Sequence, residues 1–188
     1  MIRLLREEIL DRSHWIYKRV VYEIEIAGQV QTLSREIFDR GDAVAVLLYD
    51  PARRMVVLTR QFRLPAFLNG GVTHLLETCA GGIEDGDPRA SVIRETQEET
   101  GYVIKEPRLV FQAYMSPGSV TEKIYFFVAA YAAADRVHEG GGLAEEGEDI
   151  ETVEMPFEDA LALLASGRIL DAKTIMLLQY AQIHGLID

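Results

Sequence analysis

The segment AGGIEDGDPRASVIRETQEETGY, Ala80 to Tyr102, sets six carboxylates (Glu84, Asp85, Asp87, Glu95, Glu98 and Glu99) against two arginines. Asp87-Pro88 joins an acid that can accept from free N–H groups to a residue suited to the first helical position, and Gly101 can adopt the left-handed conformation that ends a helix. A helix is therefore predicted from Pro88 to Thr100. At about 100° per residue, Val92, Thr96, Thr100, Ile93, Gln97 and Ala90 share one side, and Arg94, Glu98, Ser91, Glu95 and Glu99 the other. Glu95 and Glu99 lie one turn apart beside the buried edge, where like charges repel by about a few tenths of a kcal/mol. The arrangement calls for a cation. Mg2+ takes hard oxygen ligands and is usually held by a few carboxylates, waters and substrate phosphates. The glycines of CAGG let a backbone carbonyl, such as that of Ala80, approach the same ion.

The elements around this helix follow from punctuation and alternation. WIYKRVVYEIEI (15–26) alternates as a half-buried strand, and a turn at AGQ leads to a second strand reaching Phe38. AVAVLLYD and MVVLTRQFR bracket a turn at PARR, THLLET runs into the glycine segment, and PRLVFQAYM and KIYFFVAAY bracket SPGSVTE. IETVEM follows as a short strand, Pro156 opens an apolar helix ending near SGR, and a last helix spans about residues 172–184. The fold class is α+β in one domain.

Composition narrows the partners. Nineteen Lys and Arg against 30 Asp and Glu leave a formal charge of -11, which repels nucleic-acid backbones and anionic membranes, so neither is an expected partner. MIRLLREEIL carries acids within its apolar run and lacks a small-residue cleavage site, and no apolar run approaches about 20 residues. Cys79 is the single cysteine, so no intrachain disulfide forms and a cytoplasmic location is expected. Trp15 reads as packing, and the four histidines show no ligand spacing.

Gly81, Arg94-Glu95-Thr96, Glu98-Glu99 and Gly101-Tyr102 resemble the signature of the Nudix hydrolases, G-x5-E-x7-R-E-U-x-E-E-x-G-U, with U a bulky aliphatic residue. The chain departs from it where Asp87 replaces the first Glu, one residue fewer precedes Arg94, and Thr96 and Tyr102 are not aliphatic. Asp87 reads mainly as a cap. REIFDRG, VVLTRQFR, LLETCAGG, EETGY, YMSPGSVTE, the GGG and EDIE segments and GRILDAKT extend the resemblance over about residues 35 to 180, toward the branch that cleaves GDP-mannose and its ADP-ribose- and ADP-sugar-cleaving relatives.

The resemblance implies a Nudix-type α/β/α sandwich with a mixed sheet, preceded by an N-terminal antiparallel hairpin. It divides the chain into strands over 1–40, exchanged in a homodimer, and a hydrolase domain over 41–188. The implied activity is Mg2+-dependent hydrolysis, with Mn2+ as a substitute, of GDP-mannose to GMP and mannose 1-phosphate. ADP-ribose or ADP-sugar cleavage is the alternative, and a non-catalytic nucleotide-binding module is the reading of a different class. Ala80, Glu95, Glu98, Glu99 and Glu148 are the implied metal ligands, Glu98 either assisting there or pairing with Arg94 one turn earlier, and Glu95, Glu99 and Glu148 are the catalytic set. Glu148, in the glycine- and acid-rich segment HEGGGLAEEGEDIE, is the implied base, with Glu145, Glu146 and Glu151 as rivals. The glycines of that segment let it swing over substrate. Arg60 and Arg63, three residues apart, lie on opposite faces of a strand, so only one can face the site. The resemblance selects Arg63, with Lys173, for substrate, and Glu77 either as a further polar contact or as an inward-facing carboxylate paired with an arginine.

Overall fold

The structure, a computed structural model, describes residues 1–84, 86–143, 145 and 147–187. The chain forms two compact units, Met1–Asp42 with Ala113–Ile124, and Ala43–Gln112 with Tyr125–Asp188.

The first unit is built on an antiparallel sheet in the order β1-β2-β3, with β1 Ile2–Arg12, β2 Ile16–Ile26 and β3 Gln29–Asp39. The expected hairpin is present as β2–β3, paired without interruption from Ile16↔Asp39 to Ile26↔Gln29. The extra strand β1 escapes prediction because its apolar positions do not mark one buried face: ten of its eleven residues are exposed. Phe38 exchanges backbone hydrogen bonds with Ser119 and Thr121 (2.8 and 3.1 Å). Trp15, expected as strand packing, instead precedes β2 and is exposed, with Arg40 over its ring at 5.3 Å from the centre.

The larger sheet is built on β4 Ala43–Asp50, β5 Met55–Gln61, β8 Arg108–Tyr114, β9 Lys123–Ala130 and β10 Glu151–Pro156, in the order β10-β5-β4-β9-β8. Two short strands, β6 Leu75–Glu77 and β7 Cys79–Gly82, pair with β5 and β4. β5 pairs with β4 only from Met55 to Val57 and with β6 from Thr59 to Gln61, which leaves β4 free to pair Ala43–Val46 with β7. The four helices are α1 Leu64–Gly70, α2 Pro88–Thr100, α3 Phe157–Ala165 and α4 Ala172–Ile183. Alternation divides β4 between two cores. Val44, Val46 and Leu48 pack with Val57, Cys79, Val92 and Phe127 on the α2 side. Leu47 turns the other way, is fully buried like Leu177 and Leu178 of α4, and α4 packs on β4. These helix, sheet and helix layers are the sandwich expected.

Candidate active site

α2 begins and ends where its caps dictate. Asp87 accepts from the Arg89 N–H at 2.9 Å, Pro88 is the first helical residue, and Gly101 closes the helix at φ 76° by donating to Gln97 O. The buried arc is rotated toward the acids relative to the sequence reading: Ser91 and Glu99 are buried, whereas Ala90 and Gln97 are exposed. Val92, Thr96 and Glu99 form an i, i+4, i+7 stripe facing β7 and β4, the strands on which α2 packs.

This rotation puts a carboxylate in the interior. Glu99 is 2% exposed and accepts from the Ala80 N–H at 3.2 Å. In a regular strand the N–H and C=O of one residue leave toward the same edge, which places the Ala80 carbonyl on the Glu99 side. Burial, with the negative charges of Glu95 and Glu148 nearby, pushes Glu99 up to about 8 even though the Cys79 thiol and the Ala80 amide hydrogen-bond its carboxylate. Glu95 is pushed up to about 7, first by burial, with Glu98 and Glu148 adding to the rise and Arg94 opposing it. Three of the expected carboxylates therefore share one electrostatic site.

Arg94 organises its rim, donating to Glu98 at 2.7 Å and Glu95 at 2.8 Å, with Glu84 at 3.6 Å. Glu98, expected either to assist at the metal or to pair with Arg94 one turn earlier, makes this ion pair. Among the described residues no three His, Cys, Asp or Glu side chains are drawn together as a finished metal cage; Arg94 holds Glu95 and Glu98, and the Leu143 N–H holds Glu148 at 2.9 Å.

The loop carrying Glu148 is docked on the end of α2 rather than simply loose. Gly141 and Gly142 donate to Glu99 O and Glu98 O at 3.0 and 3.1 Å, satisfying carbonyls that the helix end leaves open. A Cβ on Gly142, at φ 76°, would fall 2.3 Å from Glu148 Oε2; glycine here permits both the turn and the seat of Glu148. Of the rivals, Glu151 pairs with Arg60 at 2.5 Å and Glu145 is exposed, while Glu146 lies outside the described residues.

The substrate contacts expected from sequence meet in a second cluster. β5 ends at Gln61 and Arg63 is the residue before α1, so strand alternation does not govern Arg63; the proline of RLPAFLNG marks a helix start that strand periodicity obscured. Arg63 grips Glu77 through Nε at 2.8 Å and Nη2 at 3.2 Å. Lys173 reaches Glu77 at 3.3 Å and Asp171 at 2.5 Å, and Arg63 also feels the charge of Glu99. Asp171 was not singled out from sequence, although an acid before an apolar helix signals a cap: it caps α4 through the Thr174 N–H at 2.9 Å.

A model of the NUDIX domain matches residues 39–178. The chain belongs to the Nudix family. It is similar to the GDP-mannose pyrophosphatases of Cronobacter sakazakii and Escherichia coli O157:H7, each 42% identical over 189 residues that cover 100% of this chain and 98% of those proteins. The GDP-mannose pyrophosphatase of Enterobacter sp. (strain 638) is 41% identical over 188 residues, covering 99% of this chain and 97% of that protein.

Nudix hydrolases generally use divalent metal ions, and the residues here fit one. Hard oxygen donors, buried Glu99 and half-buried Glu95, lie one helical turn apart with raised proton affinity, and the Glu95 carboxylate occupies the space over Gly81, where a Cβ would stand 1.9 Å from Glu95 Cδ. Gly81→Ala must therefore displace the end of a flexible side chain and not backbone. We expect the variant to fold and to lose about tenfold or more of kcat/KM at limiting metal, comparable to disturbing a ligand's support. Wild-type kinetics at every metal concentration would remove Glu95 from the ligand set.

Proposed function

We propose that this Nudix enzyme hydrolyses the pyrophosphate of a nucleotide sugar, GDP-mannose, to GMP and mannose 1-phosphate, with Mg2+ as its ion and Mn2+ as a substitute. One observation carries the reading: buried Glu99 interacts with Glu95 and Glu148 and also with Arg63, so a cation-binding set adjoins groups suited to phosphate. The relatives named GDP-mannose pyrophosphatase, matched along the whole chain, support the substrate.

When bound, the cation offsets negative charge on phosphate oxygens. Glu95, Glu99, Glu148 and the Ala80 carbonyl would hold it, with Glu98 kept at the rim by Arg94. Arg63 and Lys173 orient the pyrophosphate, the guanidinium fork matching two oxygens. Glu148 takes the proton from the attacking water. The water oxygen bonds to phosphorus as the bridging P–O bond breaks, and its electron pair leaves on the departing phosphate. Holding water, base and phosphorus in line is the main catalytic work.

A panel of GDP-mannose, GDP-glucose, ADP-ribose, ADP-glucose and NADH at equal concentrations tests the substrate. GDP-mannose should show the highest kcat/KM; a higher value for ADP-ribose would move the enzyme to the alternative class. Tight nucleotide binding without turnover at any metal concentration would make it a binding module.

The strands of 1–40 are proposed to cross to a second copy in a homodimer. Exposed Ile2, Leu4, Ile26 and Val30 in the three-stranded sheet support this. Light scattering should report twice the chain mass of 21.1 kDa, and a monomer at micromolar concentration would refute it. Among the described residues no helix is long and apolar enough to cross a membrane. The cytoplasm is the proposed compartment, since the lone thiol needs no oxidising surroundings.

A further inference from the structure

We propose that Glu77 and Asp171 are positioning residues that do not touch substrate but hold Arg63 and Lys173 as a fixed pair of cations for its pyrophosphate. The inference deepens the hydrolase reading and rests on it. Glu77 is 2% exposed, and both its oxygens are committed: Oε1 accepts from Arg63 Nε at 2.8 Å, while Oε2 accepts from Arg63 Nη2 at 3.2 Å and Lys173 Nζ at 3.3 Å. Such a carboxylate has little to offer a polyanion that would repel it.

The two cations are in the opposite position. Of the roughly five N–H donors on a guanidinium and three on an ammonium, Arg63 commits two groups, Nε and Nη2, to Glu77, and Lys173 makes two bonds, to Glu77 and Asp171. Donors remain on both, and the Arg63 side chain is 40% exposed. Left alone, these like charges would separate; interposed Glu77 keeps them together. Asp171 fixes the other end, since its Oδ2 accepts from the Thr174 N–H at 2.9 Å and Oγ1 at 2.7 Å, and Thr174 Oγ1 accepts from the Thr78 N–H at 2.7 Å. The start of α4 is thus stitched to the β6–β7 segment, and both cations inherit its rigidity. Preorganised charge of this kind is worth more than the same charge on a free side chain.

The test measures kcat/KM for GDP-mannose in Glu77→Gln and Asp171→Asn, alone and in backgrounds lacking the cations, with melting temperature as a check of folding. Glu77→Gln should lose about 10–100-fold, the range for supporting groups behind a functional side chain. In the Arg63→Ala/Lys173→Ala background the same change should cost less than about twofold. Asp171→Asn retains a capping side chain; it should lose about threefold or more alone and almost nothing on top of Lys173→Ala. A merely structural role would carry its penalty undiminished into these backgrounds, and that result overturns the proposal. Should Glu77→Gln not fold, the Asp171→Asn pair decides by the same criterion. A parent protein inactive on every nucleotide sugar would instead defeat the hydrolase reading, whereas an active parent unaffected by Arg63→Ala and Lys173→Ala would defeat only the inference.

Discussion

Glu99→Gln is expected to lose more of its kcat than the roughly 10–100-fold typical for removing an outer-shell partner of a metal ligand, while gaining stability in the absence of metal. Glu99 is buried beside Glu95 and Glu148, and burial and those charges raise it to about 8, with Glu95 raised to about 7. Both lie above the ordinary glutamate value of about 4.3. The folded state therefore holds more protons than the unfolded between about pH 4 and 8, and loses stability as pH rises through that window. Near pH 5 the neutral Glu99 and a glutamine differ little; at pH 8 the variant is spared the ionisation of a buried acid. In EDTA its melting temperature should match the parent near pH 5 and exceed it at pH 8. Mg2+ should raise the parent far more than the variant, because an ion that binds only the folded state adds its binding free energy to stability. A variant with more than half the parent turnover at saturating Mg2+ would end the ligand assignment, and equal melting at pH 8 would contradict the buried, charged Glu99.

Glu148→Gln should lower kcat by about two to four orders of magnitude, the range for losing a positioned general base. Substrate affinity should change little, because Glu148 is assigned to the water and not to the pyrophosphate. The glutamine can still accept the Leu143 N–H that seats Glu148 at 2.9 Å, so its loop should stay docked on the end of α2. Because Glu148 is also assigned to the ion, the concentration of Mg2+ giving half-maximal rate should rise as well. Glu145→Gln and Glu151→Gln serve as comparisons: Glu145 is exposed and Glu151 is engaged by Arg60, so each should stay within about threefold of the parent, the scale of an exposed ion pair. Near-parent kcat for Glu148→Gln would move the base elsewhere, with Glu146 and the α2 glutamates next to assay.

Local signals made α2 readable. Asp87, Pro88 and Gly101 each act within one turn of themselves, and the helix runs from Pro88 to Thr100 as predicted. Its rotation was not readable, because what buries Glu99 is the Ala80 amide and the strand beneath it, a partner nineteen residues away in the chain. The seven residues of α1 follow directly after a strand pattern, so periodicity carried the strand too far and gave Arg63 a false alternation. Arg63, Glu77 and Lys173 were named through the resemblance, yet their union in one ion-pair cluster depends on α4 returning to β6, a contact spanning 96 residues. The three consecutive glycines from Gly140 to Gly142 suggested free movement; two of them lie against α2 and donate to its last carbonyls. Glycine marks either a flexible segment or a close approach, and only the neighbouring backbone tells which.

Product analysis after incubating the purified protein with GDP-mannose and Mg2+, beside an EDTA control, tests the central claim most directly. The expected result is GMP and mannose 1-phosphate in equal amounts, formed only with the divalent ion and abolished in Glu99→Gln. GDP and free mannose as products would place the cleavage at the sugar and contradict the assignment, and equal turnover in EDTA would contradict a metal site built on Glu95, Glu99 and Glu148.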